Sequence, residues 1–203
     1  MRILTIAAAS LLAFATLPAY AEDKVDQAAV EAVYKDMFRN AKDVWAQRVV
    51  QDETQKVCSQ YRNDLPQAEF NKVLAREKAN VKMPADGNVM GDWKAGEKLA
   101  QSGFGGRFND KPGTINGGNC YACHQLTKQE VSYGTLGPSL LEYGKVRNFD
   151  PKEAAATYAK IYNPQSVLPC SNMPRFGHHQ FLSEQQIKDV VALLFAKDSP
   201  VNK

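Results

Sequence analysis

The stretch Cys120-Tyr121-Ala122-Cys123-His124 decides the fold class of this 203-residue chain. Two cysteines three positions apart, followed directly by a histidine, have the spacing of a c-type haem attachment site. The two thiols can add to the vinyl groups of a haem, and His124 then lies under the iron as its proximal ligand. Dithiol redox proteins and zinc sites also contain Cys-x-x-Cys pairs, but no βαβ pattern or second ligand pair of like spacing accompanies this one. We therefore predict one covalently attached haem c.

The sixth position of the iron takes a second axial ligand or stays open. Beyond the first residue, the methionines are Met37, Met83, Met90 and Met173. The first is assigned to the core by its place in a helix stripe, and the next two precede the haem motif. Met173 stands just before the last helix, where a loop can wrap the far side of the ring. We predict His124/Met173 ligation, which favours reduced iron. Ligation by His178 or His179, or a vacant position, is the alternative.

Gly137-Pro138 is a candidate for orienting the proximal ligand. A ligating histidine normally donates its other ring N–H to a backbone carbonyl, which fixes the ring orientation. A rigid Gly-Pro turn soon after the haem motif can present such a carbonyl to His124. Gly-Pro is also an everyday turn, so its position gives this assignment its weight.

Residues 1–21 have the features of a cleaved signal peptide. Arg2 provides the positive charge, Ile3 to Leu17 are mostly apolar, and Ala19-Tyr20-Ala21 is a small-x-small cleavage site. A retained anchor is the alternative, and the absence of Cys at the cleavage position argues against a lipoprotein. No apolar run of about 18 residues follows, so no membrane insertion is expected. We predict a periplasmic location.

Cys58 and Cys170 remain after haem attachment has used two of the four cysteines. In an oxidising compartment two such thiols more often pair than stay free, so we predict a Cys58–Cys170 disulfide. A bridge that closes a loop of about 110 residues stabilises by about 4–5 kcal/mol in the chain-entropy model. The alternatives are a buried free thiol at either position, or a functional thiol at Cys170 close to the iron.

The composition separates two parts of the chain and excludes one class of partner. All 13 glycines lie at or after Gly87, which predicts an N-terminal extension over 22–86 and a haem domain over 87–203. With 25 Lys+Arg against 22 Asp+Glu and no basic run, no nucleic-acid binding is expected. The basic residues of the haem half are interpreted as a mixed, solvated surface rather than a docking patch. They are Arg107, Lys111, Lys128, Lys145, Arg147 and Arg175.

Five amphipathic helices are predicted from apolar spacing and cap residues. The first has an apolar stripe from Val30 to Arg48. The second begins near Asp64 as N-cap and runs to about Asn80, with Met83-Pro84 as its stop signal. The others run from Trp93 to Ser102, from Pro151 through Ile161, and from the cap Ser183 through Phe195, after a glycine-rich loop over 103–118. No alternation typical of strands occurs, so the predicted class is all-α.

Residues 87–203 resemble the class I cytochromes c. The order that carries this resemblance is a helix at Trp93, the motif at 120–124, Gly137-Pro138, the Met173 loop and a closing amphipathic helix. A narrower resemblance is to SoxX, the small cytochrome subunit of the SoxAX complex of bacterial sulfur oxidation. It rests on the loop after Gly103 and on residues 119–124, 134–140 and 172–177.

The SoxX resemblance implies a role and partners. In that family, a SoxA-type dihaem or monohaem subunit is the place where thiosulfate is joined oxidatively to a cysteine of a SoxYZ-type carrier protein. This chain would then be the electron-accepting subunit of an L-cysteine S-thiosulfotransferase, and would pass electrons to a soluble cytochrome c without catalysing the conjugation itself. The resemblance says little about residues 22–86, which we expect to lie against the haem domain or to widen the contact with SoxA.

Two other classes of function remain open from the sequence. One is a generic periplasmic electron-transfer cytochrome c that serves an oxidase or a dehydrogenase. The other is a haem-based sensor with an open or displaceable sixth position. Met-ligated, low-spin iron would disfavour the sensor, and identification of a partner would separate the other two.

Overall fold

The computed structural model describes residues 26–40, 50–107, 109–111 and 113–203. The expected signal peptide, residues 1–21, lies outside these ranges, as do residues 41–49 of the first expected helix. None of the helices in the described ranges is long and apolar enough to cross a membrane.

Helices are the regular structure of the described residues. The α-helices are α1 (Gln27–Met37), α2 (Glu53–Gln60), α3 (Gln67–Ala79), α4 (Trp93–Gln101), α5 (Pro151–Tyr162) and α6 (Glu184–Phe195). Short 3-10 helices cover Cys120–Ala122, Lys145–Arg147, Pro164–Ser166 and Pro200–Asn202. No strand occurs in the ranges given above, which confirms the expected all-α class.

The first helix differs from its prediction in length and in burial. α1 ends at Met37 and residues 38–40 form a turn, so the predicted stripe does not continue through this point. Met37, expected in the core, is 67% exposed. The reason is that α1 touches α2 through polar groups. Gln27 Nε2 donates to the Lys56 carbonyl at 3.5 Å, and Lys56 Nζ lies 3.7 Å from Glu31 Oε1.

Helix α2 is not predicted by the apolar pattern and depends on its cap. The Asp52 carboxylate accepts a hydrogen bond from the Gln55 backbone N–H at 2.8 Å, and Gln55 Oε1 accepts one from the Asp52 N–H at 2.9 Å. This reciprocal pair is a capping box, which satisfies two N–H groups that the first turn leaves without helical partners. Thr54 and Cys58 are the buried residues of this helix.

Helix α3 confirms the second predicted helix and its C-terminal end, but not its N-cap. Its N-cap is Pro66 rather than Asp64. A helix capped at 64 would need Leu65 in a helical conformation, which the following proline disfavours. The last helical residue is Ala79 and Asn80 is the C-cap, which agrees with the expected end at about Asn80.

The helices of the haem half follow their sequence signals closely. Asp150 caps α5 ahead of Pro151, and Ser183 forms a capping box with Gln186 at the start of α6. Every residue from Ile187 to Phe195 is buried, so α6 is the centre of the core. The glycine-rich segment 103–118 contains no helix among its described residues, as expected.

Helices α4 and α6 cross at close range, and Gly96 permits it. A Cβ at this position would overlap the backbone carbonyl of Asp189 in α6. Only glycine allows two helix backbones to approach so closely. The Asp189 carboxylate also accepts a hydrogen bond from the Asp92 N–H at 2.9 Å, just ahead of α4. This crossing fixes the N-terminal half of α4 against α6.

Candidate functional site

The Cys-x-x-Cys-His motif is folded as one tight turn. Asn119 precedes it in a left-handed conformation, with φ of 47°, which asparagine tolerates better than most residues. The Cys120 carbonyl then accepts hydrogen bonds from the N–H groups of Cys123 at 3.1 Å and His124 at 2.9 Å. Neither Cys120 nor Cys123 is in a disulfide. The turn therefore holds two free thiols and an imidazole within one stretch of five residues.

The His124 ring is fixed by the predicted Gly137-Pro138 turn. His124 Nδ1 lies 2.7 Å from the Pro138 carbonyl, which can only accept, so Nδ1 carries the proton and donates. Gly137 packs directly on the ring, and a Cβ there would overlap it. The Gly137 N–H also donates to the Cys123 carbonyl at 2.8 Å. This arrangement leaves Nε2 as the nitrogen that can ligate an iron.

The surroundings of the two thiols argue against the rival interpretations of the motif. Burial raises the pKa of the Cys120 thiol to about 11. A dithiol redox pair needs the opposite, a thiol whose pKa is depressed so that the thiolate forms near neutral pH. Within the described ranges, no group of three or more His, Cys, Asp and Glu side chains could hold a metal ion, so a zinc site finds no further ligands there.

A cavity of about 1110 Å³ has Gly117, three residues before Cys120, on its wall. Gly118 connects this cavity to the motif, because a Cβ there would lie 3.2 Å from Cys120 Sγ and 3.8 Å from Leu182 Cδ1, and Leu182 lines the cavity. Apolar and aromatic side chains on the cavity wall are Leu99, Tyr158, Tyr162, Phe181 and Leu182. Its lining includes none of Cys120, Cys123, His124 and Met173. Two free thiols beside a tied imidazole fit a covalent haem.

Met173 has the partial burial that a ligand on the far side of the haem requires. It is partly buried and packs against the core cluster, as Cys120 does. Met90 also packs on this cluster, whereas Met83 is 44% exposed. The His178 side chain is 25% exposed, and its Nε2 lies 4.0 Å from the Asp52 carboxylate. The assignment of Met173 as the sixth ligand stays a prediction.

The two remaining cysteines are joined in the structure. Cys58 in α2 and Cys170 form a disulfide with a Cα–Cα distance of 5.5 Å across 112 positions of sequence. The bridge ties the extension to the loop that carries Met173. Cys170 is therefore not a free thiol here, which removes the alternative of a functional thiol beside the iron.

Sequence reasoning missed a buried charge cluster next to Met173. Arg175, interpreted above as part of a solvated surface, is 4% exposed. Its Nη2 lies 2.5 Å from the Asp52 carboxylate, and its Nη1 lies 3.6 Å from Glu77 Oε2. The Glu77 side chain is 2% exposed and accepts a hydrogen bond from Asn163 Nδ2 at 2.7 Å and another from the Thr54 hydroxyl. The surface interpretation is wrong for Arg175, because its partners come from the extension.

The charge cluster keeps its carboxylates ionised. Burial alone would raise the pKa of Asp52, but the hydrogen bond from the Gln55 N–H and the Arg175 guanidinium lower it below its usual value. Burial likewise opposes ionisation of Glu77, and its hydrogen bonds and Arg175 bring its pKa below the usual value. Arg175 is therefore charged among charged partners, a pairing that buried ions require.

Two comparisons relate this chain to known proteins. The family described as cytochrome c matches residues 94–195, half of the chain. A protein of Aquifex aeolicus (strain VF5), named "Uncharacterized lipoprotein", is 42% identical over 156 residues, which span 75% of this chain and 73% of that protein. The family match runs from α4 to the last residue of α6 and includes the motif, the Gly137-Pro138 turn and Met173.

Proposed function

We propose that this chain is the electron-accepting subunit of a SoxAX-type complex in the periplasm. The premise is that the chain belongs to the cytochrome c family and is an electron-transfer haem protein. Family membership confirms the class I cytochrome c fold and a covalently bound haem c. The observation that carries the proposal is the fixed turn of Cys120 to His124 on Pro138, together with the SoxX-like segments 134–140 and 172–177. The location is proposed from the signal sequence at residues 1–21.

Each residue of the site has a distinct task in this proposal. Cys120 and Cys123 hold the cofactor by thioether bonds, so it stays with the protein at any concentration. His124 presents Nε2 to the iron while Pro138 holds its other nitrogen. Met173 supplies the sixth ligand. A bound haem would supply one-electron chemistry, and ligation by His124 and Met173 would favour its reduced form, which suits an acceptor.

The ligand assignment is tested with two matched methionine variants. Met173→Ala should abolish the far-red sulfur-to-iron charge-transfer band of the oxidised protein and lower the reduction potential. Met90→Ala is the control, because Met90 packs on the same core cluster but precedes the motif, and the band should survive. A band that is absent from the unaltered protein, or that survives Met173→Ala, would show the assignment to be wrong.

The pathway assignment is tested by reconstitution. With a SoxA-type partner, the chain should form a tight heterodimer. Turnover with thiosulfate, a SoxYZ-type carrier and soluble cytochrome c should reduce the haem held by Cys120 and Cys123. The isolated chain should not conjugate thiosulfate, because a Met/His iron has no vacant position. A chain that exchanges electrons with soluble cytochrome c but forms no complex with the SoxA-type protein would instead be a generic electron carrier. Conjugation by this chain alone would contradict both roles.

A further inference from the structure

Met173 lies between two attachment points that tie its loop to the N-terminal extension. Cys170, three residues before it, is bonded to Cys58, and Arg175, two residues after it, is paired with Asp52. The family match begins at residue 94, so both partners lie outside the segment that the cytochrome c family shares.

The first attachment is covalent and lies on α2. Cys58 is 7% exposed, so the bridge is inside the contact between the extension and the haem half. The Cys170 N–H also donates to Gln165 Oε1 at 3.3 Å, which fixes the backbone on the haem side of the bridge. Cys170 has a φ of 59°, a left-handed conformation that non-glycine residues seldom adopt, so the surrounding contacts must hold it there.

The second attachment is ionic and lies near the two ends of residues 52–77. Asp52 begins α2 and Glu77 lies near the end of α3, and both face the Arg175 guanidinium. The Arg175 side chain is 3% exposed, so releasing the loop would strip a buried charge of its partners. Separation at one attachment is therefore opposed by the other, and the loop cannot swing out as a free hairpin.

We propose that residues 52–77, here called the brace, position Met173 on the haem iron, with Cys58, Asp52 and Glu77 as the positioning residues. This inference rests on the proposed Met173 ligation and explains how it is maintained. A thioether is a weaker partner for oxidised than for reduced iron. In the oxidised state, loop opening therefore competes with ligation, and a loop already held at the bonding position loses little entropy on binding. The brace keeps the closed population high.

The imidazole affinity of the oxidised holoprotein measures how often the Met173 loop is open. Added imidazole takes the sixth position only when Met173 has left, so its apparent affinity rises in proportion to the open fraction. Loss of the sulfur-to-iron band follows the titration. The variant Cys58→Ser with Cys170→Ser removes the first attachment. The variant Asp52→Asn removes the charge of the second, and it keeps the N-cap of α2 because asparagine caps as well as aspartate.

Two controls separate positioning from general destabilisation. Asp150→Asn is the same substitution at the N-cap of α5, where the carboxylate accepts a hydrogen bond from the local backbone N–H of Lys152 at 2.8 Å. Ile187→Val loosens the core at a fully buried position in α6, outside the brace. Both should change stability without changing the local opening of the Met173 loop.

We expect imidazole to bind about tenfold more tightly to the double cysteine variant and about threefold more tightly to Asp52→Asn, and within about twofold of the unaltered protein in both controls. Equal affinities in all five proteins, with the band present in the unaltered one, would overturn the brace and leave Met173 ligation standing. Absence of the band from the unaltered protein would overturn the ligation itself, and the brace with it. A rise in the controls equal to that in the brace variants would show that the effect is general loosening, and would also overturn the proposal.

Discussion

Replacement of Arg175 by Leu tests how strongly the extension and the Met173 loop depend on each other. Leucine is chosen because a second methionine beside Met173 would offer the iron another thioether. The Glu77 side chain is 2% exposed, and the substitution removes the Arg175 guanidinium that lies 3.6 Å from it. Asp52 is 37% exposed and can be solvated, and Glu77 keeps Arg76 Nε at 3.6 Å.

These contacts set the expected magnitude. Removal of one partner from a buried ion pair costs about 3–5 kcal/mol, since the other charge stays buried. Because one carboxylate is half solvated and the other keeps a second cation, we expect Arg175→Leu to cost about 3 kcal/mol of unfolding free energy, the lower end of that range. Glu77→Gln keeps the hydrogen-bonding shape of the side chain and should cost about 1–2 kcal/mol.

A double-mutant cycle in urea supplies the decisive comparison. The double variant has no buried carboxylate at position 77 to lose its Arg175 partner, so its cost should be smaller than the sum of the two single costs by about 1 kcal/mol or more. Unfolding is followed by far-ultraviolet circular dichroism of the oxidised holoprotein. Costs that add to within about 0.5 kcal/mol, or an Arg175→Leu cost below about 1 kcal/mol, would refute the buried pairing.

Two further predictions concern Gly137 and His178. Gly137→Ala places a methyl group against the His124 ring, so we expect a loss of about 1–3 kcal/mol of unfolding free energy and a shifted reduction potential. Gly103→Ala is the control, because its Cβ would meet the Asn119 side chain at 3.3 Å, and it should leave the reduction potential unchanged. Equal potentials in both variants would contradict the packing argument. Burial, and then the charge of Arg175, hold the pKa of His178 below its usual value of about 6.5. The folded protein therefore binds fewer protons than the unfolded chain there and loses stability as the pH falls below about 6.5, by up to about 1.4 kcal/mol per pH unit for one proton. Urea titrations between about pH 7.5 and pH 5 should show a shallower loss in His178→Asn, and identical slopes would rule this group out.

The parts of the fold that could be predicted are those whose signals are local. Ser183 with Gln186, and Asp150 with Pro151, mark their helix starts within a few residues, and the structure has both. The haem motif and the Gly137-Pro138 turn are close in sequence, so their hydrogen bond could be anticipated from the chain order. Local signals suffice wherever the interacting groups are less than about two helical turns or one short loop apart.

The parts that could not be predicted depend on distant partners. α2 is eight residues long, and its apolar residues are too few to form a stripe. Its Asp52-to-Gln55 spacing is a capping-box pattern and was the available signal. The burial of Arg175 has no local signal, since Asp52 is 123 positions away. A charged residue in a sequence is normally solvated, and only the fold shows which one is enclosed.

The buried polar groups of the Met173 loop show why the extension and the haem half form one energetic unit. Asn163 is completely buried, and its side-chain amide donates to the Glu77 carboxylate in α3. Arg175 finds its charge partners in Asp52 and Glu77. A buried polar group without a partner costs more than its hydrogen bond contributes, so these side chains can be enclosed only while the extension is in place. The glycine boundary at residue 87 therefore separates two compositions, while the contacts that hold Met173 cross it.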